Sequence, residues 1–217
     1  MDSTLLPVFP LNVVLLPEEV LPLHIFEERY KQMIGECLEA KAQQSQGQEF
    51  GMVLADGEEL QPVGCSARIS KVVRKYPDGR LDILATGGRR FEILYTNEEA
   101  PYLRCGVDFF DDDGPDAPAE PEAMRALELF RQVADRLSRP SEEPLEFQPP
   151  YRYLSFRLAA ALALDVRFKQ ELLSLRLEAA RLARVIEAMK ALIERIQFSQ
   201  KAQERARGNG NRPHGVH

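Results

Sequence analysis

Residues 111–123 read DDDGPDAPAEPEA, and they divide the chain. Six acidic side chains, no basic ones, three Pro and one Gly fall in this stretch. Carboxylate repulsion and Pro stiffness predict an extended connector rather than part of a core. Before it the apolar residues recur mostly at the spacing of strands; after it, at the spacing of helices. The expected class is therefore α+β. A small closed β-barrel with one helix is expected over 1–113, an acidic Pro-rich linker over 114–123, a helical bundle over 124–207 and a disordered tail over 208–217.

Working back from the connector, Leu5 to Phe9 and Val20 to Ile25 read as short strands flanked by Pro, which lacks a ladder donor and suits strand ends. The period then changes: Phe26, Tyr30, Met33, Ile34, Cys37 and Leu38 fall on one helical face, opposite Glu27, Glu28, Lys31 and Glu39. Residues 50–54, FGMVL, predict a buried strand. From Val63 the chain alternates Val63, Cys65, Ala67 and Ile69 inward against Gly64, Ser66, Arg68 and Ser70. Tyr76-Pro77-Asp78-Gly79 predicts a turn, and Gly87-Gly88 a second one between LDILAT and RFEILY. Arg89 and Arg90 are then expected as surface side chains beside that turn.

Working forward, Leu127, Phe130, Ala134 and Leu137 predict a helix ended at Arg139-Pro140. A second is expected to start at Pro149-Pro150 and carry Leu154, Leu158 and Leu162 one turn apart. Asp165 is placed to cap a short turn. Leu172, Leu175, Ala179, Leu182, Val185, Met189, Leu192 and Ile196 then predict one long amphipathic helix, a bundle member with enough stripe left over for a homodimer contact.

Composition narrows the function. The chain has 217 residues and a formal charge of −6. Through residue 113 there are 11 Lys and Arg against 20 Asp and Glu, a poor surface for nucleic-acid phosphates. No apolar run reaches the length of a membrane helix, and no basic region precedes an apolar core at the N-terminus. Cys37, Cys65 and Cys105 are far apart and read as reduced cytoplasmic thiols, with neither a disulfide framework nor a zinc site. His24 stands alone away from His214 and His217, so no multi-histidine metal site is expected, and no cofactor. There is no GxxxxGK[ST] loop and no nucleophile beside a recognisable base, so no catalytic residue is assigned.

The segment FPLNVVLLPEEVLPLHIFEERYKQM (9–33) resembles the opening of the Lon-protease N-terminal domain family, the substrate-recognition module also found in cereblon. FGMVL (50–54), EELQPVGCSARI (58–69), PDGRLDILATGGRRFEIL (77–94) and YLSFRLAAALALDVRFKQELL (153–173) follow in the family's order. The resemblance runs from about Leu5 to Ile193 and implies a PUA-like barrel followed by a helical bundle. It departs in one detail: the family often has Pro after its Leu-Ala run, where this chain has Ala163-Leu164-Asp165. The ATPase and Ser–Lys peptidase modules of full-length Lon have no motif here. The expectation is a stand-alone recognition domain that binds unfolded or exposed apolar polypeptide, as an adaptor to a protease or chaperone. RNA binding, known for PUA-like barrels elsewhere, is the alternative that the acidic balance disfavours.

An apolar patch rimmed by charge is the expected form of such a site. Leu15, Leu16 and Pro17, followed by Glu18-Glu19, and Phe26, Glu28, Arg29 and Tyr30 at the helix start are the peptide-binding candidates. His24 is expected to be a hydrogen-bonded strand residue.

Overall fold

The computed structural model describes residues 4–44, 47–57, 59–137 and 147–209. Its N-terminal half holds β1 (Thr4–Leu11), β2 (Val20–Ile25), α1 (Glu28–Ala42), β3 (Glu49–Asp56), β4 (Glu59–Leu60), β5 (Val63–Lys75), β6 (Leu81–Asn97) and β7 (Arg104–Phe110). The main pairings run β1–β7–β6–β5–β3 and return to β1, because β1 pairs with β3 in parallel while the other neighbours are antiparallel. That circuit leaves few exposed edges. Strand β2 lies outside it and pairs with the first half of β6.

The expected strand and helix positions hold through this half, with two corrections: Gly64 and Ser66 of β5 do not face solvent but are buried, beside Phe91 and Gly88, and the second turn is absent. Gly87-Gly88 is no turn: β6 is one 17-residue strand that runs straight through it. The two glycines are needed for close approach. A Cβ at Gly87 would sit 2.0 Å from the Leu16 carbonyl oxygen, and one at Gly88 2.6 Å from the Ser66 hydroxyl. The Tyr76–Gly79 turn is present, with Gly79 at φ +84 and its N–H donating to the Tyr76 carbonyl at 3.0 Å.

Four helices follow: α2 (Glu120–Leu137), α3 (Leu154–Ala161), α4 (Val166–Ser174) and α5 (Glu178–Asn209). Helix α2 begins inside the stretch read as a linker. The rest of that stretch is largely exposed but tied down. Asp113 donates its N–H to the Arg176 carbonyl at 2.8 Å, Tyr153 donates to the Asp116 carbonyl at 2.7 Å, and Arg152 pairs with the Asp116 carboxylate. Helix α3 starts four residues later than expected, since Tyr151 and Tyr153 both take left-handed φ (54 and 51) and cannot sit inside a helix. Asp165 caps α4 as expected, accepting from the N–H groups of Arg167 (2.9 Å) and Phe168 (3.4 Å). The long stripe is two elements: Leu172 belongs to α4, Leu175 lies in the break, and Leu182, Val185, Met189 and Ile193 form the buried face of α5. The expected helix stop at Arg139-Pro140 and residues 210–217 of the expected tail lie outside the described residues; Gly208 and Asn209 are in α5.

The halves share one core. A single apolar cluster runs from Phe9 and Phe50 in the sheet through α1 to Leu154, Leu172 and Val185 in the helices. A smaller one, Leu6, Val8, Val53, Phe91, Cys105 and Val107, packs separately among the strands.

Candidate functional site

At the junction of the two halves lies a buried charge cluster. Asp112, just past β7, receives Arg181 from α5 through two bonds, 2.7 Å to Oδ1 and 2.5 Å to Oδ2, and Arg90 from β6 donates to the same Oδ1. Arg181 also reaches Glu178 (2.8 Å) and the Ser155 hydroxyl (3.1 Å); Ser155 in turn donates its N–H and hydroxyl to Glu178. Arg90 donates to the Leu173 and Leu175 carbonyls, and both guanidiniums lie over the Phe156 ring. All four charged side chains are nearly inaccessible. Arg90 is therefore not the surface side chain expected from its neighbouring glycines. Burial lowers the Arg181 basicity, but its hydrogen bonds and the charges of Asp112 and Glu178 reverse this, and its pKa ends above the ordinary value. Two cations and two anions with their hydrogen bonds satisfied describe a structural tie rather than a reacting centre.

A shallow cleft of about 210 Å³ lies beside this tie, lined by Pro17, Glu18, Gly87, Gly88, Arg89 and Tyr153 among others. Pro17 is the one member of the expected Leu15-Leu16-Pro17 patch that reaches it. Leu15 and Leu16 are 1% and 0% exposed and belong to the core, which corrects their reading as solvent-edge anchors. The chain turns after Leu16, with Glu18 at φ 64 and the Leu16 N–H held by the Glu19 carboxylate at 2.9 Å, and this folds both leucines under β6. Tyr30 is buried against Phe9, with ring centroids 4.0 Å apart. Phe26, Glu28 and Arg29 do face solvent.

Around Phe26 the surface is apolar and aromatic. In β2 the side chains alternate: Val20, Pro22 and His24 point outward, Leu21 and Leu23 are half-buried, and Ile25 is buried. Phe26 continues the outward row at 59% exposure and stacks on His24 at 5.9 Å. Opposite His24 in β6, Asp82 accepts from His24 Nδ1 at 2.6 Å and from the Tyr76 hydroxyl at 2.8 Å. The Tyr76 ring stands edge-on to His24 and carries Arg74 and Arg80 over it. The hydrogen bonds from His24 and then Tyr76 hold the Asp82 carboxyl below the usual carboxylate range. Nearby charges are matched with one another: Arg29 with Glu27, Lys31 with Glu28, Arg80 with Asp78. The patch thus offers apolar area inside a rim of largely paired ions, with Arg74 over the Tyr76 ring.

Burial pushes the Cys65 thiol up to about 12 and those of Cys37 and Cys105 up to about 11. Among the described residues no group of His, Cys, Asp and Glu is placed to hold a metal, and no helix is long and apolar enough to cross a membrane. The sequence pattern points to none of His24, Tyr76 and Asp82 as a binding residue. Strand β2 is legible in the sequence, but nothing local to Tyr76 or Asp82 announces that the turn at 76–79 brings them beside it.

The mixed sheet followed by helices that end in the long α5 is the architecture of Lon N-terminal domains. Residues 5–191 match the family of the ATP-dependent protease La (LON) substrate-binding domain, and the chain belongs to that family. It is 29% identical over 180 residues to the Lon protease of Koribacter versatilis, covering 79% of this chain and 22% of that protein. It is 24% identical over 218 residues to that of Flavobacterium johnsoniae, covering 93% and 26%. The chain thus spans about a quarter of the length of these curated relatives. Among solved structures it is similar to the Lon N-terminal domain protein from Xanthomonas campestris, with a TM-score of 0.63 and 25% identity over 85% of this chain and 98% of that one. The N-terminal domain of the Mycobacterium avium complex Lon protease has the same fold, with a TM-score of 0.65 at 17% identity over 86% and 98%.

Proposed function

We propose that this protein is a non-catalytic recognition module that binds exposed apolar segments of unfolded polypeptides in the cytoplasm and passes them, as an adaptor, to a separate protease or chaperone. The observation that carries this reading is the solvent-facing row Val20, Pro22, His24 and Phe26, an apolar strip whose surrounding charges already have partners. A client has no counter-ion to displace there and gains by covering hydrocarbon. Family membership in a substrate-binding domain supports a polypeptide as the partner. The excess of acidic over basic residues through residue 113 argues against nucleic acid. The reading assigns no catalytic residue, cofactor or metal. Self-association through α5, where Phe198 is 77% exposed, is a second contact it includes, checked by sedimentation at increasing concentration.

Covering one large apolar side chain contributes ~1.5–3 kcal/mol, so its loss weakens binding roughly tenfold or more. The test uses reduced, carboxymethylated α-lactalbumin as the unfolded client. Phe26→Asp should weaken its capture to that extent while leaving the melting temperature unchanged; Lys190→Glu, on the remote α5, should alter neither. A wild-type protein that captures no unfolded polypeptide, or a Phe26→Asp protein that captures it equally well, refutes the proposal.

A further inference from the structure

Strands β2, β5 and β6 form a three-stranded ribbon with two open edges, and the chain treats them differently. Strand β5 leaves β3 after Arg68 and pairs only with β6 from Ile69 to Lys75. That edge is obstructed. Register shifts interrupt it between Ile69 and Lys71 and between Val72 and Arg74. Lys71, Arg74 and Lys75 line it, and Lys41 from α1 takes the Ile69 carbonyl at 2.5 Å. Bulges and cations of this kind are how sheets prevent a further strand from adding.

The β2 edge has neither bulge nor cation, and Pro22 is the one residue in it that hinders pairing. Its register with β6 is unbroken from Val20 to Ile25, and it carries no Lys or Arg. The parity of its backbone follows from the bonds at its start. Gly87 donates its N–H to the Glu19 carbonyl at 2.9 Å, so 19/87 is a hydrogen-bonded pair, and by alternation so are 21/85, 23/83 and 25/81. The backbone groups of Val20, Pro22 and His24 therefore face away from β6. Two observations agree: Pro22, which has no N–H to give, sits at an outward position, and the Leu84 carbonyl opposite it is taken from the β5 side by the Ser70 hydroxyl at 3.0 Å. Among the described residues no hydrogen bond outside the ladder reaches the backbone of Val20, Pro22 or His24. The edge presents two N–H groups and three carbonyls at the two-residue repeat of a strand, and only an extended polypeptide matches that spacing.

We propose that the client polypeptide adds to β2 as a further strand, bound by its backbone. This rests on the reading given under Proposed function and deepens it. Main-chain hydrogen bonds give affinity without demanding a sequence. The outward row of Val20, Pro22, His24 and Phe26 on one face, with the half-buried Leu21 and Leu23 on the other, favours clients apolar at both parities. Pro22 removes one donor from the middle of the edge and so limits the permanent pairing that would aggregate the protein.

The experiment uses a labelled apolar octapeptide and two N-methylated forms, methylated at alternate odd or alternate even residues. A docked strand turns one set of N–H groups toward β2 and the other to solvent, so one form should lose about tenfold or more in affinity and the other little. In parallel, hydrogen exchange should slow at the Val20 and His24 amides when the unmodified peptide binds, and Val20→Pro, at the first residue of the strand, should weaken binding. If the octapeptide binds, yet both methylated forms bind equally and neither amide is protected, the strand-addition inference falls while the apolar-client reading stands. If neither the octapeptide nor unfolded α-lactalbumin binds, both fall.

Discussion

Replacing Asp112 by Ala tests whether the buried tie between sheet and helices carries stability. Asp112 is the single anion between two guanidiniums, with its side chain 2% exposed. Its removal leaves Arg90 and Arg181 facing each other out of water, with Glu178 alone to offset them. Breaking a buried pair from one side typically costs ~3–5 kcal/mol, because the remaining charge keeps its desolvation penalty. For a chain of this size each kcal/mol lowers the melting temperature by ~2–4 °C, so a fall of roughly 6–20 °C is expected. Asp112→Asn, which keeps the shape and loses the charge, should show most of that loss. Asp56→Ala breaks the exposed pair with Arg167 and should cost no more than ~1 kcal/mol. Urea unfolding at several salt concentrations is the assay; screening should erase the small Asp56 effect and leave the Asp112 effect in place. The double variant Asp112→Ala, Arg181→Met should cost clearly less than the two single changes together. Additive single changes, or an Asp112→Asn protein as stable as wild type, would refute the reasoning.

Leu16→Asp should destabilise the whole protein rather than remove binding selectively, and Gly87→Ala should do the same by driving a methyl into the Leu16 carbonyl; both are read by thermal unfolding. Asp165→Ala should lower stability by ~1 kcal/mol through loss of the α4 cap, with no change in client capture. Because His24 and Tyr76 hold the Asp82 carboxyl low in the folded protein, their contribution is present above the unfolded carboxyl range and is lost as pH falls through the folded value. His24→Ala should therefore raise the Asp82 titration midpoint toward that of a free carboxyl in a carbon-13 NMR titration; an unmoved midpoint would show that the His24 bond does not act on it.

Local pattern and long-range closure were not equally legible. Strand β2 and the Asp165 cap could be read because each depends on residues a few positions apart: a short apolar run marked by prolines, and a side-chain oxygen before a helix. The Gly87-Gly88 misreading had a physical cause. Paired glycines serve tight turns and close backbone approach alike, and only the folding of Leu16 against β6 decides between them. Leu15 and Leu16 misled in the same way, since their neighbours Pro17, Glu18 and Glu19 look like solvent-edge residues while the turn at Glu18 carries the leucines inward. Arg90 and Arg181 lie 91 positions apart in sequence, so nothing local shows that they share Asp112. Of the candidate site, Glu28 and Arg29 could be placed at the surface from the sequence; Phe26 shares the spacing of the buried face but lies ahead of α1 and is exposed, and the ring of His24, Tyr76 and Asp82 beside it required the register of β2 on β6.

The unbroken course of β6 matters to anyone wishing to label or tether this protein. Gly87-Gly88, the site a reader of the sequence would choose for an inserted tag, lies between the residues that pair with β2 and the arginine that locks the helices. An insertion there would cut the strand both depend on. The loop at Pro77-Asp78-Gly79 is where foreign chain can leave the sheet without severing a ladder. It also stands next to Tyr76, close enough for a fluorophore placed there to report on whatever settles against Phe26.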